Sequence, residues 1–131
     1  MSLMGKRRFT EGAYENDPWF RGLCSAVSAC KDEQEVADLL RDIGTLSELQ
    51  AWSERLEVAK QLSQGLTYRQ VSANTGASTT TVTRVAKYIE NGVGGYKQFL
   101  KAQKSKRSHK RFETPEVIKQ DKAEAVLRKY L

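Results

Sequence analysis

Two cysteines, two prolines and one histidine are all that these 131 residues hold of the types that most often build cross-links, rigid turns and metal or catalytic centres. Cys24 and Cys30 lie six positions apart on a stretch that reads as helix. They point about 240° away from each other there. They cannot pair within it and read as free thiols of a reducing cytoplasm. His109 stands alone in a charged segment, which excludes a zinc site and a His-based triad. No run approaches the roughly 18 uninterrupted apolar residues of a membrane span. The N-terminus shows no apolar leader before Gly5-Lys-Arg-Arg8, so a cytoplasmic protein is expected. The doubled start reads as a cloning remnant over Met1–Leu3, with Met4 as the natural first residue. No paired carboxylates, nucleophile–base set or phosphate-cradling loop emerges, so the chain does not read as an enzyme.

What is present is charge and helix. The formal charge is +6 and the pI near 9.4, which points to a polyanionic partner. Residues 97–131 carry eleven basic and four acidic side chains, whereas residues 1–96 carry eleven and twelve. The tail reads as a basic arm that adds phosphate contacts. An apolar share of 39% is low for a self-sufficient globule, so either the ends are disordered or a second copy completes the core.

Helical punctuation recurs along the chain. Asp17-Pro18 caps a first helix carrying Phe20, Leu23 and Val27. Asp32 with Glu35 forms a capping box for a second, with Val36, Leu39, Leu40 and Ile43 as its stripe and Gly44 as its end. Thr45 with Glu48 opens a third, whose face carries Leu49, Trp52, Leu56, Ala59 and Leu62. Thr67 with Gln70 opens a short fourth, and Ser78 caps a fifth bearing Val82, Val85 and Ile89. A sixth is expected over about 96–102. The Lys104–Arg111 run has no apolar residue and reads as a disordered linker. Thr114-Pro115-Glu116 then restarts a tail helix with Val117, Ala125, Val126 and Tyr130 on offer.

The fourth and fifth helices fit a helix-turn-helix. Counting from Tyr68, Val71, Ser72, Gly76, Ala77, Val82 and Val85 supply the apolar contacts, the small residue at the crossing and the turn glycine. Glycine is expected at 76 because the sharp turn demands a positive φ. The second helix of the pair then exposes Ser78, Thr79, Thr80 and Thr83, whose hydroxyls suit phosphates, base edges and bridging waters. Arg69 is expected to face phosphate or a guanine edge, and Lys87 to touch backbone phosphate. Together with Ser72 at the crossing, these are the candidate DNA-binding residues. The partner that follows is double-stranded DNA.

The stretch from Thr45 to Ile89 resembles the tryptophan repressor superfamily. The likeness is sharpest in Arg55-Leu-Glu-Val-Ala-Lys-Gln-Leu62 and in Gly76-Ala-Ser-Thr-Thr-Thr-Val-Thr-Arg84, and points to its Trp-repressor-like branch in Gram-positive bacteria. It implies an all-α fold, an intertwined homodimer, a palindromic operator and action as a transcriptional regulator, most simply a repressor. It also aligns Thr45, Arg55 and Arg84 with residues that hold the co-repressor. Val85 and Tyr88 stand where that family has glycine and serine, and both would fill the indole site. That leaves two readings for Arg55 and Arg84: they bind another carboxylate, as of a small amino-acid co-repressor other than tryptophan, or they make phosphate and intersubunit contacts with no effector at all. The expected organisation is a flexible segment over 1–13, a DNA-binding domain over 14–103, and a linker with tail helix over 104–131. A helical protein-interaction module that keeps the helix-turn-helix as scaffold is the alternative.

Overall fold

A computed structural model describes residues 8–110, and every described regular element is helical. The tail helix expected from Thr114 lies outside the described residues. A 3-10 turn over Tyr14–Asn16 precedes α1 (Pro18–Ser28), α2 (Glu33–Ile43), α3 (Leu46–Ser63), α4 (Tyr68–Thr75), α5 (Thr79–Asn91) and α6 (Gly95–Lys110). Chain contacts divide into two units, residues 1–51 and 52–131, and α3 begins in the first and continues in the second.

In the first unit the helix starts are set by side-chain caps. The Asp17 carboxylate accepts from the Trp19 N–H at 2.8 Å, with Pro18 at the first helical position. Asp32 accepts from the Glu35 N–H at 2.9 Å, but Glu35 reaches one residue past the expected partner and accepts from the Lys31 N–H at 3.1 Å. The Thr45–Glu48 box closes in both directions, at 2.9 and 3.1 Å. Phe20 meets Phe9 and Tyr14 edge-on, with centroids 6.2 and 5.3 Å away. No described apolar side chain of this unit is buried. Trp19 is 69% exposed, Leu46 66% and Ile43 53%. Both thiols are free and half-buried, and Cys30 lies beyond the end of α1 rather than within it.

The second unit holds the core. Val58 and Ala59 from α3, Val71 from α4, Ala77 from the turn, and Val82 and Val85 from α5 are buried, with Leu62, Leu66, Ile89 and Tyr96 packed around them. The expected α3 stripe is thus only partly the buried one. Val58 replaces Trp52 and Leu56, which stay near 40% exposed. The Asn74 amide donates to Gln61 Oε1 at 3.1 Å and ties α4 to α3.

The sixth helix is longer than its apolar residues suggest. The apolar residues predict an end near residue 102, but the helix runs through to Lys110, across a segment whose composition reads as linker. Lysine, arginine, glutamine and alanine are all good helix formers, and no glycine or proline interrupts residues 96–110. Propensity here outweighs the lack of an apolar stripe.

Candidate nucleic-acid interface

The α4–turn–α5 pair is built from local hydrogen bonds. Thr67 and Gln70 form a complete capping box at the start of α4. The helix ends at Gly76, whose φ of +78° is left-handed. Open space surrounds the position a Cβ would take there, so the backbone angle alone calls for glycine. Three hydroxyls then fix the turn. Ser72 Oγ donates to the Ala77 carbonyl at 2.6 Å, and Thr75 Oγ1 donates to the Val71 carbonyl at 2.7 Å while accepting from the Ala77 N–H at 3.1 Å. Ser78 caps α5, accepting from the Thr81 N–H at 3.1 Å and donating to Thr81 Oγ1 at 3.0 Å.

With the turn fixed, the outward side of α5 is determined. Val82 and Val85 point into the core, and Thr79, Thr80, Thr83, Arg84 and Lys87 line a shallow depression of about 490 Å³ on the other side. All five are exposed. Thr83 Oγ1 donates back to the Thr79 carbonyl at 2.9 Å, while the Thr79 and Thr80 hydroxyls have no partner among the described residues. Arg69 is exposed in the first turn of α4. Ser72 sits differently, half-buried at the crossing with its proton committed to the turn.

The electrostatics of this surface follow from composition. Residues 58–89 contain no aspartate or glutamate, and the first turn of α5 has no acid to neutralise its positive dipole end. The near-neutral total of residues 1–96 conceals this split. Residues 1–51 carry six basic and nine acidic side chains, and residues 52–131 carry sixteen and seven.

The five residues aligned with a co-repressor site are not gathered in one cavity. Arg55 and Tyr88 line a hollow of about 440 Å³ with Trp52, Leu56, Val93 and Tyr96. Burial raises the Tyr96 phenol above its usual range, partly offset by the positive charge of Arg55. Arg84 lies instead with the threonines of α5, its guanidinium carbon 6.0 Å from the Tyr88 ring centroid. Val85 is 3% exposed in the core. Thr45, in the first unit, caps α3 with its hydroxyl and N–H. The aromatic walls Trp52 and Tyr96 escaped sequence reasoning, because helical spacing marks an apolar face without saying whether protein covers it.

An all-α chain with a helix-turn-helix, exposed hydroxyls and a carboxylate-free basic face is of the class of regulatory DNA-binding proteins rather than enzymes. The Trp repressor protein family matches residues 19–104, and the chain belongs to it. The chain is 36% identical over 78 residues to the uncharacterized protein YerC of Bacillus subtilis (strain 168), covering 60% of this chain and 75% of that one. Two crystal structures share the fold. One is a TrpR-like protein from Eubacterium eligens, at TM-score 0.64 and 33% identity over 67% of this chain and 91% of that one. The other is a candidate Trp repressor from Staphylococcus aureus, at TM-score 0.67 and 28% identity over 73% and 96%. No described helix is long and apolar enough to cross a membrane, and no described group of His, Cys, Asp and Glu could hold a metal ion.

Proposed function

We propose that the chain is a sequence-specific transcriptional regulator, acting as a repressor and binding a palindromic operator as a homodimer. The outer face of α5 carries this reading. Thr79, Thr80 and Thr83 supply hydroxyls and methyls for base edges, and Arg84 and Lys87 supply positive charge, all from one face of a helix locked at its N-terminus. Arg69 adds a contact from α4. Ser78 and Ser72 act through the turn that aims the helix.

The homodimer is supported by the first unit. Helices α1 and α2 have apolar stripes but no buried apolar side chain, and a second copy would supply the missing cover. Two heads related by a two-fold axis bind half-sites about one helical turn apart. We place a small amino-acid effector other than tryptophan in the hollow beside Arg55, whose guanidinium suits a carboxylate.

Footprinting on duplex selected from a random pool tests the reading. The expected result is symmetric protection of two half-sites, with Arg69→Ala and Thr83→Ala each lowering specific affinity about tenfold or more without altering the helix content. Protection of one asymmetric site, or normal binding by both variants, refutes it.

A further inference from the structure

The continuation of α6 through residues that read as linker turns a string of lysines into a fixed surface. Tyr96, Phe99, Leu100 and Gln103 are its half-buried seam, while Lys97, Lys101 and Lys104 are exposed. At 100° per residue these three ammonium groups share a sector of about 60° and span about 10 Å of helix. Their sector adjoins Leu100, which reaches a hollow shared with Tyr68, Ala86 and Ile89. The stripe therefore emerges beside the first turn of α4, whose next residue is Arg69.

Among the described residues no carboxylate pairs with it, and the nearest acid along the chain, Glu90, lines the same hollow as Leu100. Residues 91–112 hold no carboxylate, and Glu90 is the one acid of residues 58–112. The Lys97 ammonium donates to the Glu90 carbonyl at 3.4 Å, and none of the three lysines forms an ion pair among the described residues. Lys97 and Lys101, four apart, repel each other along the helix. A row of like charges at this spacing is relieved by a polyanion, and about 10 Å of duplex axis presents about three phosphates per strand. The seam of α6 faces its own unit, so no apolar face remains to enter a lipid layer.

We propose that the Lys97–Lys101–Lys104 stripe of α6 is a second DNA-contacting surface, binding backbone phosphates outside the base-reading contacts of α5. This rests on the reading of the chain as a DNA-binding regulator. The stripe positions the protein on any duplex and does not read sequence. It also begins seven residues before the basic run that the composition marks, within a helix packed on the domain.

Salt dependence on a random-sequence duplex of about 30 base pairs isolates this term, because phosphate contacts are independent of sequence. The full chain is compared with Lys101→Gln/Lys104→Gln, which keeps helix propensity, and with Arg21→Gln/Lys31→Gln, which removes the same charge from the first unit. Loss of two contacts per protomer, four in the homodimer, at about 0.9 each makes the slope of log affinity against log salt shallower by about 3.6. The first-unit variant keeps the parent slope. A parent slope in the Lys101/Lys104 variant, with the parent binding normally, overturns the stripe alone. A parent chain that shows no salt-dependent duplex binding overturns the DNA-binding reading with it. Capture of phosphatidylserine vesicles by the parent but not by the variant, with DNA slopes equal, reassigns the stripe to lipid and also overturns it.

Discussion

Single residues in this protein often do one job that only one side-chain type performs. Gly76 is the clearest case, since its φ of +78° disfavours a Cβ even though the space around it is empty. Gly76→Ala should therefore lower stability by about 1–2 kcal/mol in chemical denaturation, and Gly76→Asn by less, because asparagine tolerates the left-handed region. A cost that instead scaled with side-chain volume would mean packing, not backbone angle, selects glycine. Glu48 is a second case. The Thr45 N–H and hydroxyl hold its carboxyl below the ordinary value of 4.5. A lowered folded pKa contributes stability above the unfolded value and loses it as pH falls through the folded one. The parent should thus lose more stability than Glu48→Gln when acidified below about pH 4.5, as read by thermal melts across that window. Both residues were legible in the sequence, because a turn glycine and a capping pair act over three or four positions.

The elements divide by how local their cause is. The starts of α1 to α5 follow from Asp17, Asp32, Thr45, Thr67 and Ser78, each of which accepts from a backbone N–H of its own first turn. Thr67→Ala should cost about 1 kcal/mol and fray α4 first, visible as faster amide exchange there. Packing was less legible. The α3 stripe Leu49, Trp52, Leu56, Ala59 and Leu62 is sound as periodicity, yet the core takes Val58 and leaves Trp52 and Leu56 at a cavity wall. Periodicity marks a face, and only the crossing of α4 and α5 decides which part of it is covered. The length of α6 was obscured for the opposite reason. Its lysines and arginine favour helix, but the segment lacks the apolar residues that sequence reading uses as its signal. Val71→Ala, which removes two methyl groups from a site with no exposure, should cost about 2–3 kcal/mol in denaturant midpoint analysis.

For the whole molecule, exposure in the first unit is the quantity that matters. If a second copy covers α1 and α2, the midpoint of thermal unfolding should rise with protein concentration, and light scattering should give twice the chain mass of 14.8 kDa. A midpoint independent of concentration would count against the homodimer. The likeness of Thr45–Ile89 to a known family made the fold and class of the protein readable from sequence. The cavity was not readable, because it depends on where Tyr88 and Tyr96 are carried by helices separated by a turn. Tryptophan should leave the thermal midpoint unchanged, whereas an amino acid bound beside Arg55 should raise it and lose that effect in Arg55→Ala.

The helix-turn-helix is closed over a core in which no fully buried side chain exceeds valine in size. So thin an interior offers little resistance to local opening. Amides of α4 and α5 should therefore exchange quickly in the free protein and become protected when the operator is bound. Calorimetry should record the same event as an unfavourable ordering entropy and a heat-capacity decrease larger than rigid docking of the contact area gives. Part of the recognition energy then goes into completing the fold, and a mismatched site leaves the head only half set.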